Sequence, residues 1–146
     1  MLGNQVAKIA QSYWFLGLAQ VTHSIEETFT KLYLEFGSMS EALHQLFPWF
    51  PLFEISADVF AILNYLTIAL MLGSVPAAEK GKRLGFIFMW SWAIIEILNG
   101  AFHIGTWVFL HSYFPGGVTG PMLFVLSVLF IQQLRATSDR ATQAIQ

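Results

Sequence analysis

Four long apolar stretches constrain this chain more than any other feature. A helix needs about 20 mostly apolar residues to cross a bilayer at 1.5 Å rise each. Stretches of that order run over 13–36, 52–75, 84–110 and 118–134. The last contains PMLFVLSVLFI and no charge, whereas the first opens WFLGLAQV and then meets His23, Glu26 and Glu27. Only 11% of the chain is charged and 55% is hydrophobic, against roughly 25% charge in an average soluble domain. The reading is an all-α, four-helix transmembrane bundle, one domain over residues 1–146, with the bilayer as its main partner.

Connections follow from local chemistry. Gly37 is expected to cap the first helix in a left-handed conformation. Ser38 and Glu41 form a capping box for a short interfacial helix, EALHQLF, stopped by Pro48 and followed by Trp49 and Phe50. Pro76 is expected to break the second helix, and 113–117 (YFPGG) reads as a tight turn before the fourth. His44 and His111 are expected to be solvated.

Basic charge sets the orientation. Four spans place the N-terminus, the 76–83 loop and the C-terminal tail on one side, and these hold Lys8, Lys80, Lys82, Arg83, Arg135 and Arg140 of the seven basic residues. Loops 37–51 and 111–117 hold none. Positive residues stay cytoplasmic, so both termini are expected inside, in a cell inner membrane, with the first stretch retained rather than cleaved as a signal peptide.

Several function classes drop out. Without cysteine there is no disulfide scaffold, cysteine-ligated zinc, iron–sulfur cluster or thiol catalysis. A net charge of −2 leaves no basic footprint for nucleic acid. No nucleophile-elbow serine is present, and Gly116-Gly117 has no preceding strand to make it a phosphate cradle.

What remains is a set of polar residues where lipid should be, at about 2.5–3.5 kcal/mol for each charge near the bilayer centre. His23, Glu26, Glu27 and Thr30 share one helical face, as do Glu96, Asn99 and His103 on the third stretch. Counting from Tyr13 and Leu84, His23 lies about 15 Å and Glu96 about 18 Å above the cytoplasmic boundary. Asp58 lies about 9 Å below the outer one. These residues are expected to meet in the outer half of the membrane. Local pairing competes with this reading, because Glu27 and Lys31 have the favoured spacing for a helical ion pair. For Glu96, Asn99 and His103 the competing reading is an interhelical hydrogen-bond network.

His23-Ser24-Ile25-Glu26-Glu27, with Glu96-x-x-Asn99-x-x-x-His103 and Pro115-Gly116 before the final helix, resembles the HXXEE-domain family of small bacterial multi-helix membrane proteins. The likeness runs from about Tyr13 to Leu134. It implies membership and a membrane fold, and supplies no mechanism.

The catalytic candidates are therefore His23, Glu26, Glu27, Asp58, Glu96, Asn99 and His103. The metal-ligand candidates are His23, Glu26, Glu27, Glu96 and His103, a donor set suited to divalent Fe, Mn or Zn. Inward carboxylates and histidines of helical bundles build such centres. A membrane enzyme acting on a lipophilic small molecule is the first reading. The second is a metal-free acid–base isomerase or cyclase. The third is a non-enzymatic proton-coupled carrier, which would favour a homo-oligomer, or an accessory subunit of a membrane complex.

Overall fold

The computed structural model describes residues 2–143, with side chains placed over 4–137. Five α-helices follow in order: α1 (Leu2–Phe29), α2 (Glu35–Leu46), α3 (Ala57–Glu79), α4 (Arg83–Leu110) and α5 (Thr119–Gln143), with a single 3-10 turn, Leu32–Leu34, between α1 and α2. There is no strand among the described residues. α1 packs against α3 and α5, and α4 packs against the same two helices. Three segments are long and apolar enough to cross a membrane: Ala57–Glu79, Arg83–Leu110 and Thr119–Thr137.

Several boundaries differ from the sequence expectation, each for a local reason. α1 does not end on Gly37. Lys31 takes the left-handed conformation itself (φ 59°), and Gly37 lies inside α2. That turn leaves Lys31 exposed, and the Glu27–Lys31 pair does not form. α2 begins at Glu35, upstream of the expected capping box, and the Ser38 hydroxyl donates to the Glu35 carbonyl instead (3.1 Å). His44 is half-buried, with Nδ1 2.6 Å from the Phe50 carbonyl oxygen. Residues 51–56 are irregular, and α3 starts where the Ser56 hydroxyl accepts from the Val59 amide (3.3 Å). Pro76 does not break α3, which runs on to Glu79. Proline removes one bond to the preceding turn, but its own φ is helical, so the final turn proceeds. Gly81 (φ 59°) then reverses the chain into α4.

The core has two zones. Along α1 the buried positions read Ile9, Ala10, Tyr13 and Leu16, then change to Gln20, His23, Ser24 and Glu27. Along α4 they read Met89, Trp92 and Ala93, then Glu96, Gly100 and His103. The apolar zone is continuous with Met71 and Val75 of α3 and with Leu123, Phe130 and Leu134 of α5. Outward positions are apolar instead, including Leu63, Leu66 and Leu70 on α3 and Ile87, Ile94 and Leu98 on α4. Polar groups inside and leucines outside invert the arrangement favoured in water.

Candidate functional site

Tertiary approach brings three of the expected residues to one point. His23 and Glu27 are one turn apart on α1, and His103 faces them from α4. Glu27 Oε1 lies 3.2 Å from Nε2 of His23 and 3.2 Å from Nε2 of His103. The two imidazole rings meet edge-on with centroids 4.7 Å apart. One ligand atom from each residue falls within 4.8 Å of the others, and all three residues are buried.

Glu27 Oε1 and His103 Nε2 form a hydrogen bond, and His103 Nδ1 is left unpartnered. The contact to His23 is different. It is within ion-pair distance, but His23 Nε2 has no hydrogen-bond partner. The other His23 nitrogen, Nδ1, is 2.7 Å from the Thr119 hydroxyl.

Glu26 points elsewhere. The next residue on a helix is turned by about 100°, and this rotation carries Glu26 to the start of α5. Its carboxylate accepts from the Val118 amide (3.0 Å), the Thr119 amide (2.8 Å) and the Tyr113 hydroxyl (2.8 Å), and also from the Thr119 hydroxyl. A helix start leaves its first amides without partners and carries partial positive charge. Here the Gly120 amide bonds to the Gly116 carbonyl, Pro121 has no N–H, and Glu26 takes the two remaining. Glu26 is thus a cap supplied by another helix.

Glu96, Asn99 and Asp58 stand apart from the three-residue cluster. Glu96 is two turns before His103, about 10 Å along α4. It is buried, accepts from Asn99 Nδ2 at 3.4 Å, and leaves Oε1 unpartnered. Asp58 is exposed in the first turn of α3. Its position at a helix start, rather than in mid-span, keeps it in contact with solvent.

The 111–118 connection closes this end of the bundle. Phe114 is buried with its ring 5.9 Å from that of His103. Gly116 (φ 81°) lies so close that a Cβ there would collide with both imidazoles. A Cβ on Gly120 would sit 2.6 Å from His103 Cβ. Sequence reasoning assigned Gly116 only to a turn and gave Thr119 no role. Thr119 did carry a signal, as a threonine opening an apolar run with Pro121 in the first turn. Nothing local announces Gly116 as a site residue, since its partners are 13 residues and more away.

No curated protein and no solved structure matches the chain. A family model does: residues 14–131 match HXXEE, described as a protein of unknown function with HXXEE motif. The match covers most of the sequence and includes His23, Glu26 and Glu27, and the chain belongs to the HXXEE family.

Proposed function

We propose that the protein is a four-span inner-membrane enzyme, a single transmembrane domain over 1–146. In this reading His23, Glu27 and His103 hold a divalent metal ion in the outer half of the bilayer, for chemistry on a lipophilic substrate. The observation that carries this reading is the unpartnered His23 Nε2 facing a carboxylate oxygen 3.2 Å away. With the His23 proton on Nδ1, two acceptors face each other there, and a shared cation satisfies both. Zinc bound at about 2.0–2.1 Å in a tetrahedral site would need neighbouring donors about 3.3 Å apart; both Nε2–Oε1 separations are close to that, and all three ligand atoms lie within 4.8 Å of one another. Two histidines and one carboxylate leave coordination positions free, the arrangement of catalytic zinc and non-haem iron sites.

In such a site the metal supplies Lewis acidity and lowers the pKa of bound water. The chain's own residues do the rest. Phe114 and Gly116 seal the outer end against bulk water, and Glu96 offers a buried carboxylate oxygen able to hold a proton. Apolar outward faces on α3, α4 and α5 suit a substrate arriving from lipid.

The test is elemental analysis of the full chain purified in detergent. About one metal ion per chain is expected, falling several-fold in His23→Ala, Glu27→Gln and His103→Ala. Because metal competes with protons for the imidazole and carboxylate donors, occupancy should rise with pH. Metal-free wild-type protein that binds no added zinc, iron or manganese would overturn the metal site. The unpartnered Glu96 Oε1 would then favour metal-free acid–base catalysis, with Glu96 and His103 as the proton carriers.

A further inference from the structure

We propose that Glu26 and Thr119 form a relay that fixes the tautomer of His23, so that the two glutamates of the motif have different tasks. Glu27 bears the ligand oxygen, and Glu26 positions His23 through α5. Glu26 faces four donors, which an ionised, acceptor-only carboxylate satisfies. The Thr119 hydroxyl has one proton, and it is given to Glu26. Its oxygen can therefore only accept from His23, 2.7 Å away, so His23 carries its proton on Nδ1. Nε2 is left as a bare lone pair beside Glu27.

This arrangement explains a buried polar atom that otherwise lacks a reason to be unpartnered. It also gives the two adjacent acids separate partners: Glu27 reaches His103 of α4, and Glu26 the start of α5. Groups that orient a ligand histidine typically change metal affinity by 10–100-fold when removed. The relay rests on the proposed metal site only for what uses the lone pair. The tautomer itself is independent of any metal.

The experiment is nitrogen NMR of the full chain in detergent micelles, with ¹⁵N-labelled histidine and chelator present, followed by zinc titration. The His23 signals are identified by their loss in His23→Gln. In wild type, Nδ1 should be protonated and Nε2 bare. Thr119→Val keeps the backbone amide that Glu26 caps, and it should move the proton to Nε2 or mix the tautomers. Zinc affinity should then fall about 10–100-fold. Thr119→Ser should restore both readouts, which a role in helix packing alone would not predict. Glu26→Gln should act in the same direction, and Thr119→Val decides the matter if that variant fails to fold. Wild-type His23 protonated on Nε2 or on both nitrogens, or a tautomer unchanged in Thr119→Val, would overturn the relay. If the tautomer follows Thr119 but zinc never binds, the relay stands and the metal reading falls.

Discussion

Adjacent glutamates on α1 differ by about 100° of helical rotation, and that separates a buried oxygen between two imidazoles from a carboxylate capping α5. The partners of Glu27 were legible in the sequence, because His23 is at i−4 and His103 shares a polar face with Glu96 on another apolar helix. The partners of Glu26 were not, because capping by a side chain from a different helix depends on an approach that no local pattern encodes. The same capping cluster gives a pH test. Tyr113 donates to Glu26. Partial burial, and after it this bond, hold the Tyr113 phenol above its usual 10.0. A raised pKa means the folded state keeps its proton longer than the unfolded state. Its stabilising share is therefore complete below pH 10 and is lost as pH rises through the folded value. Denaturation of wild type and Tyr113→Phe across pH 8–12 should show a steeper alkaline decline in wild type. Parallel curves would mean that the bond contributes nothing to folding.

Close approach between α4 and α5 is what brings the two ends of the site into register. A Cβ on Gly100 would lie 2.5 Å from the Gly120 carbonyl oxygen and 2.8 Å from the Phe124 amide nitrogen, both backbone atoms that cannot rotate away. Gly100→Ala should therefore push the helices apart, at a cost of about 1–3 kcal/mol, and displace His103 one turn above. Gly105 on the same helix meets nothing within 4 Å. There alanine should stabilise by up to about 1 kcal/mol through helix propensity. Thermal melting in detergent should move in opposite directions for the two variants, and a shared direction would remove the packing explanation. Helix existence was legible from apolar length, and α4 begins within one residue of expectation. Ends were less so. The reversal at Lys31 required a non-glycine residue in the left-handed region, and Pro76 kept α3 intact because it falls in the final turn.

Across the whole molecule, charge is distributed along one axis. Val6 of α1 packs beside Gly81 in the α3–α4 turn, and Lys8 shares a groove with Gln133 and Thr137 of α5. The start of α1, the Lys80–Arg83 turn and the later part of α5 thus occupy one end. Lys31, the seventh basic residue, is exposed at the far end of α1, with Glu41 and Glu54 in the segments that follow it. Basic residues near span ends are retained on the cytoplasmic side, so this end should face the cytoplasm and the His23–Glu27–His103 cluster the outer leaflet. α1 decides the matter. It is not among the helices apolar enough to cross unaided, because its buried face carries Gln20, His23, Ser24 and Glu27. Gln20 finds a partner in Ser24 of the same helix, but Ser24 bonds to Asn64 of α3, His23 to Thr119 of α5 and Glu27 to His103 of α4, so hydropathy scores an isolated helix that the folded molecule does not contain. If α1 crosses, reporter fusions at the N-terminus and within 37–48 should fall on opposite sides of the membrane, with the N-terminus and residue 146 both cytoplasmic. Both reporters on the same side would leave α1 at the surface and three spans. A surface α1 would have to carry His23 and Glu27 away from the bundle, and the 3.2 Å contact between Glu27 and His103 would be lost.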